Sequence, residues 1–150
     1  MAQLQVQLKL LLNLLDITAS DLSIADVLKT VPEIPEVAIV YGYADTDEKS
    51  VNAFCVAGVK GIIFAGTDNG SVAKSCLASL DNTIKSGIVV VRSSRIPSGI
   101  VSKDKKYEDE HGFIAAKSLN PQKAKILLQL TLTKYSQKNT DPIQKLFYKY

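Results

Sequence analysis

One histidine and two cysteines are all that this chain of 150 residues offers to a soft metal, and that scarcity excludes most metalloenzyme chemistry. A structural or catalytic zinc site needs three or four such ligands at close spacing, and His111, Cys55 and Cys76 provide neither the number nor the spacing. No Gly-x-Ser-x-Gly elbow is present, and His111 lies in a stretch of mixed charge, so a serine or cysteine triad is not expected. Charge of one sign is also scarce. Lys and Arg number 18 against 15 Asp and Glu, scattered apart from short lysine-rich stretches near positions 103 and 145, which is no footprint for nucleic acid. The apolar stretch within residues 1–15 has no basic segment before it and no small-residue cleavage site, and it is too short and polar to span a membrane.

What is present is enough for one core, since 46% of the residues are apolar. Three near-continuous Val- and Ile-rich runs, 37–43, 61–66 and 88–93, have the pattern of parallel strands covered on both faces. Between the first two, Asp45 and Glu48 stand at capping-box spacing, Val51, Phe54 and Cys55 share one face, and Gly58 supplies a stop. Between the second and third, Val72, Cys76, Leu80 and Ile84 recur every four residues after Asp68-Asn69-Gly70, and Gly87 ends the run. Both cysteines fall at apolar helix positions and are read as buried free thiols. Strand, helix, strand, helix, strand requires right-handed crossovers and a parallel α/β sheet.

Residues 98–112 are polar and charged and are expected to form a long exposed loop. Asn120 and Pro121 then start a helix through Ala124, Leu127, Leu128, Leu130 and Leu132, and a last helix is expected from Asp141-Pro142 to Tyr150. Before the first strand, Ser20 or Asp21 could cap a helix carrying Ile24, Val27 and Leu28, with Pro32 and Pro35 as separators. The expected organisation is therefore an N-terminal helical extension or linker over 1–34 and an α/β domain over 35–150.

Ligands of open α/β sheets gather beyond the carboxyl ends of the strands, here Tyr43 to Asp45, Thr67 to Gly70 and Arg92 to Arg95. The middle segment sets backbone N–H groups, a carboxylate and an amide side by side, although Asp, Asn and Gly also suit a corner on conformational grounds alone. The Arg-Ser-Ser-Arg run could grip a carboxylate or merely cap helix ends and pair with the acidic loop. Glu108, Asp109 and Glu110 read as solvated surface.

Taken together, the segments Pro35-Glu-Val-Ala-Ile-Val-Tyr-Gly-Tyr43, Gly61-Ile-Ile-Phe-Ala-Gly-Thr-Asp-Asn-Gly-Ser71, Val90-Val-Arg-Ser-Ser-Arg-Ile-Pro-Ser-Gly99 and Leu119-Asn-Pro-Gln-Lys-Ala-Lys-Ile-Leu-Leu-Gln-Leu130 resemble, in order, the C-terminal domain of type II L-asparaginases. The resemblance runs from about Pro35 to Tyr150 and implies a small parallel sheet of three to four strands with flanking helices, flavodoxin- or Rossmann-like. It implies hydrolysis of the asparagine side-chain amide, more slowly that of glutamine, by a threonine of an N-terminal domain, with no cofactor. The Thr-Gly-Gly-Thr-Ile motif of that domain is absent from these residues, and Thr67 is rejected as nucleophile because its flanks match the C-terminal segment. The chain alone is therefore expected to be inactive.

By the same resemblance, Asn69 would reach a neighbouring subunit's site and hold the amino-acid end of the substrate. The loop after Arg-Ser-Ser-Arg would add an acidic residue. That loop is one residue short here, with Lys105 and Lys106 near the expected place and Asp104 or Glu108 as substitutes. The implied partners are L-asparagine and an asparaginase N-terminal domain or like subunits in an oligomer, and the family analogy suggests a periplasmic or secreted setting. Two other readings compete: a small flavodoxin-like or receiver-like ligand-binding module, disfavoured by only three clear strands and no acidic pair after the first, and a truncated fragment without biochemical role.

Overall fold

The computed structural model describes residues 33–135 and 140–150, with backbone alone for 108 and 109. The helix expected near Ile24, Val27 and Leu28 lies outside these residues. Four strands, β1 (Val37–Tyr41), β2 (Gly61–Gly66), β3 (Val89–Ser94) and β4 (Ile114–Ala115), form one parallel sheet in the order β1-β2-β3-β4. Helices α1 (Lys49–Ala57) and α2 (Lys74–Lys85) make the two crossovers between the first three strands, and α3 (Pro121–Lys134) and α4 (Asp141–Lys149) follow β4.

Alternation along the strands explains the layering. Ala38, Val40, Ile62, Phe64 and Val90 point to the α1/α2 side, where they pack with Val51, Cys76 and Leu80. Val37, Ile63, Val89, Val91 and Ile114 point to the other side and pack with Leu127, Leu128, Leu130, Ile143 and Phe147 of α3 and α4. Every residue of β2 and β3 is buried, which is why β2 and the Val89–Val91 half of β3 run apolar without alternation. β1 ends at Tyr41, two residues short of the expected run, because Thr46 closes a small loop on Tyr43: its hydroxyl donates to the Tyr43 carbonyl at 2.8 Å and accepts from the Tyr43 N–H.

The helix ends differ in part from expectation. Asn120 caps α3 as read, its Oδ1 accepting from the Lys123 N–H at 2.9 Å with Pro121 following. Gly58 closes α1 at φ 82°, in the left-handed region. The Asp45/Glu48 capping box does not form. Glu48 itself occupies the cap position without a side-chain bond, and Asp47 accepts from the Lys49 N–H at 3.1 Å instead. The exposed Asp47 carboxylate also pairs with Lys49 at 2.8 Å, which lowers its pKa. Asp68-Asn69-Gly70 forms a turn as read, but α2 starts only at Lys74, so Val72 is buried ahead of the helix rather than within it.

The 98–112 segment is the largest departure. It is not a free loop. Val101 is fully buried and bridges Lys117 through two backbone hydrogen bonds of 2.9 and 3.1 Å. Residues Lys105–Asp109 form one π turn, with Asp104 Oδ1 accepting from the Lys106 N–H at 2.9 Å, and Tyr107 is buried against Phe113. His111 Nδ1 lies 2.7 Å from Asp81 Oδ1 on α2. Two buried apolar residues in a polar run, Val101 and Tyr107, are too sparse to make a periodic signal, yet they suffice to anchor it.

The exposed edge of β4 is covered by Gln144, whose amide both accepts from the Ala115 N–H at 2.9 Å and donates to its carbonyl at 3.1 Å. Cys76 is fully buried and donates to the Asp47 carbonyl at 3.3 Å, whereas Cys55 is only half-buried, 3.1 Å from Thr83 Oγ1. Among the described residues no helix is long and apolar enough to cross a membrane.

Candidate functional site

The carboxyl ends of β1 and β2 and the approach to α2 enclose a cleft of about 320 Å³, lined among others by Tyr43, Gly66, Thr67, Ser71, Ala73 and Arg95. Gly66 allows the cleft to exist. A Cβ there would lie 2.1 Å from the Ser71 carbonyl oxygen, so only glycine lets the chain turn back so tightly on β2. The turn that results joins Thr67 to Ser71 in a short antiparallel bridge, the Ser71 N–H donating to the Thr67 carbonyl at 2.8 Å. Asp68 and Gly70 hold φ of 44° and 68°, a conformation Asp tolerates and Gly favours.

Asn69 sits at the tip of this turn. Its Oδ1 accepts from the Ser102 N–H at 2.7 Å and from the Ser102 hydroxyl at 3.2 Å. A backbone N–H can only face an oxygen, so the amide orientation follows from the network. Its Nδ2 meets no acceptor among the described residues. Asn69 is half-buried and is not itself a wall of the cleft; Thr67 and Ser71 on either side of it are.

The two arginines of Arg-Ser-Ser-Arg have separate fates. Arg92 is fully buried, donating from Nη1 to the Asn69 carbonyl at 2.6 Å and from Nη2 to the Ser102 carbonyl at 3.1 Å, over the ring of Tyr107 at 4.3 Å. It holds loops together and is closed to a ligand. Arg95 is exposed on the cleft wall, placed by its N–H bonding the Gly66 carbonyl at 2.8 Å. Its guanidinium, the Thr67 and Ser71 hydroxyls and the N-terminal end of α2 make the cleft suited to a carboxylate or an amide.

Thr67 lines the cleft, and no described side chain is hydrogen bonded to its hydroxyl. Asp104 is turned into its own π turn, and Glu108 lies within that turn by its backbone. His111 packs on Phe113 and Asp81 rather than on the cleft. Among the described residues no three His, Cys, Asp or Glu side chains converge as metal ligands would. Sequence reasoning reached Tyr43, Thr67 and Arg95, took in Ser71 only as the end of the Gly-Thr-Asp-Asn-Gly-Ser run, and missed Ser102. The signal for Ser71 was its place opposite Thr67 in a Gly-bounded turn; Ser102 carried none, since its partner is 33 residues away.

A parallel sheet with a polar cleft at its carboxyl ends, and a short turn braced from a neighbouring loop, describes an α/β ligand-handling domain. Residues 36–147 match the Glutaminase/Asparaginase C-terminal domain, and the chain belongs to that family. It is 44% identical over 119 residues to L-asparaginase 2 of Escherichia coli (strain K12), covering 79% of this chain and 34% of that protein. It is 44% identical over 102 residues to L-asparaginase 2 of Bacillus subtilis (strain 168), covering 68% and 27% respectively. Against the glutaminase-asparaginase of Pseudomonas fluorescens biotype A the identity is 36% over 125 residues, covering 82% and 34%. The chain thus spans about a third of the length of these relatives.

Proposed function

We propose that this domain completes the amide-substrate site of a neighbouring subunit or of a separately supplied asparaginase N-terminal domain, and contributes no nucleophile of its own. L-asparagine is the substrate of the assembled site, and like subunits or that N-terminal domain are the partners. The observation that carries this reading is the turn between Thr67 and Ser71. Asn69 has its oxygen locked by Ser102 while its Nδ2 keeps two N–H donors for the carboxylate end of an amino acid. Ser71 offers a hydroxyl from the cleft wall beside it. The loop contributes its acid, Glu108, to the substrate's ammonium, since Asp104 is engaged in capping the π turn.

The test is ammonia release from L-asparagine by the chain alone and mixed with an asparaginase N-terminal domain. Expected is silence alone, turnover in the mixture, and a KM raised about tenfold by Asn69→Ala, the equivalent of one hydrogen bond to a charged group. Turnover by the chain alone would overturn the reading. A mixture in which Ser71→Ala raises KM while Asn69→Ala does not would move the substrate contact from Asn69 to Ser71.

A further inference from the structure

The buried guanidinium of Arg92 does more than fill the core between β3 and the 98–112 segment. Its Nη1 donates to the Asn69 carbonyl at 2.6 Å and reaches the Gly70 carbonyl at 3.4 Å, so it binds two successive peptides of the turn beside the cleft. Its Nη2 donates to the Ser102 carbonyl at 3.1 Å. The same Ser102 holds the Asn69 side chain through its N–H and hydroxyl. One planar cation therefore fixes both the backbone of the turn and the residue that orients its side chain, a span a lysine ammonium could not reproduce.

The position of that guanidinium is set from the far side by Tyr107, whose ring lies 4.3 Å beneath it. Tyr107 stacks on Phe113 at 6.1 Å, Phe113 on His111 at 5.5 Å, and His111 meets Asp81 of α2 at 2.7 Å. Val101 adds a steric stop, since its methyls stand 3.1 Å from where a Cβ on Gly70 would lie. The π turn is thus tied to Asn69 and Gly70 through Arg92.

We infer that Arg92 and Tyr107 are positioning residues, a relay by which the 98–112 loop sets the placement of the Thr67–Ser71 turn and hence the affinity of the site it serves. The inference rests on the proposed function for its effect on substrate, but not for the coupling itself. Two measurements separate these.

In the full chain alone, hydrogen exchange is read at the Ser71 N–H, which bonds the Thr67 carbonyl, and at Ile63 in the centre of β2. Tyr107→Leu should speed exchange at Ser71 about tenfold and leave Ile63 unchanged. Tyr107→Phe, which keeps the ring, should restore the wild-type rate. No change at Ser71, or equal acceleration at Ser71 and Ile63, would overturn the relay, the second because it would report general loosening. In the mixture with an asparaginase N-terminal domain, Tyr107→Leu should raise KM about tenfold with kcat within about twofold, and Tyr107→Phe should restore KM. A fall in kcat at constant KM would overturn the positioning role. A mixture inactive with the wild-type chain would refute the proposed function and leave the exchange result to decide the relay.

Discussion

Replacing Gly66 by alanine isolates the contact on which the cleft depends. By local propensity the change should help slightly, because glycine in a strand interior costs roughly 0.5–1 kcal/mol relative to alanine. The surroundings reverse the sign. The added Cβ would stand 2.1 Å from the Ser71 carbonyl oxygen and 2.8 and 2.9 Å from the carbonyl carbons of Gly70 and Ser71, all backbone atoms with no rotamer to yield. β2 cannot retreat, since Gly66 is paired with Ser94 and its carbonyl receives the Arg95 N–H at 2.8 Å. The turn must swing away instead, losing the Ser71 to Thr67 hydrogen bond and loosening the bonds from Arg92 to Asn69 and Gly70.

One neutral hydrogen bond at about 1 kcal/mol and a charged donor at about 1.5–3 kcal/mol give a loss of roughly 3 kcal/mol. That is a large share of a stability of about 5–15 kcal/mol. Equilibrium urea unfolding of Gly66→Ala measures it, with Gly58→Ala alongside. Gly58 has nothing within 4 Å of its added Cβ and only its φ of 82° to offend, so that variant should lose about 1–2 kcal/mol. A Gly66→Ala loss smaller than that of Gly58→Ala would refute the steric account of the turn.

Other outcomes follow from the same structure. Leu128→Ala, at a fully buried position packed over Gly61, should cost about 2–5 kcal/mol in urea, and a loss under about 1 kcal/mol would mean the α3 side of the core collapses freely. Asn120→Ala removes the cap bond to Lys123 and should cost about 1 kcal/mol, with Asn120→Asp close to wild type. Burial pushes the Cys76 thiol above its usual 9.0, so the folded state disfavours its thiolate. The resulting stability is fully present below the unfolded thiol's pKa and is lost as pH rises above 9 through the folded value. Cys76→Ala should therefore lose less stability than wild type between pH 8 and 10, and an equal or steeper loss would contradict the burial argument.

Much of the fold was legible because burial on both faces leaves an unmistakable trace. Three strands were read from continuous Val and Ile runs, and each formed within two residues of expectation at its ends. β4 was not legible, since Ile114–Ala115 is too short for any period to register, and its place is set by pairing with Val91 and Arg92. The start of α2 was placed too early because Val72 stands in four-residue phase with Cys76 and Leu80, although it is buried ahead of Lys74, where the helix begins.

The arginine pair shows where a site escapes sequence reading. Arg92 and Arg95 look equivalent in Arg-Ser-Ser-Arg, but Arg92 is in phase with Val90 inside a strand buried on both faces, and Arg95 lies one residue past its end. Position relative to the strand end therefore assigns the first to the interior and the second to the cleft wall. A buried guanidinium is expensive unless its donors are met, and here carbonyls of Asn69, Gly70 and Ser102 meet it. Those carbonyls belong to the two segments that flank the cleft, so satisfying Arg92 and holding the cleft's turn in place are one requirement. Under the proposed function, donors arranged in this way would hold the amide substrate of the assembled site while a partner supplies the attack.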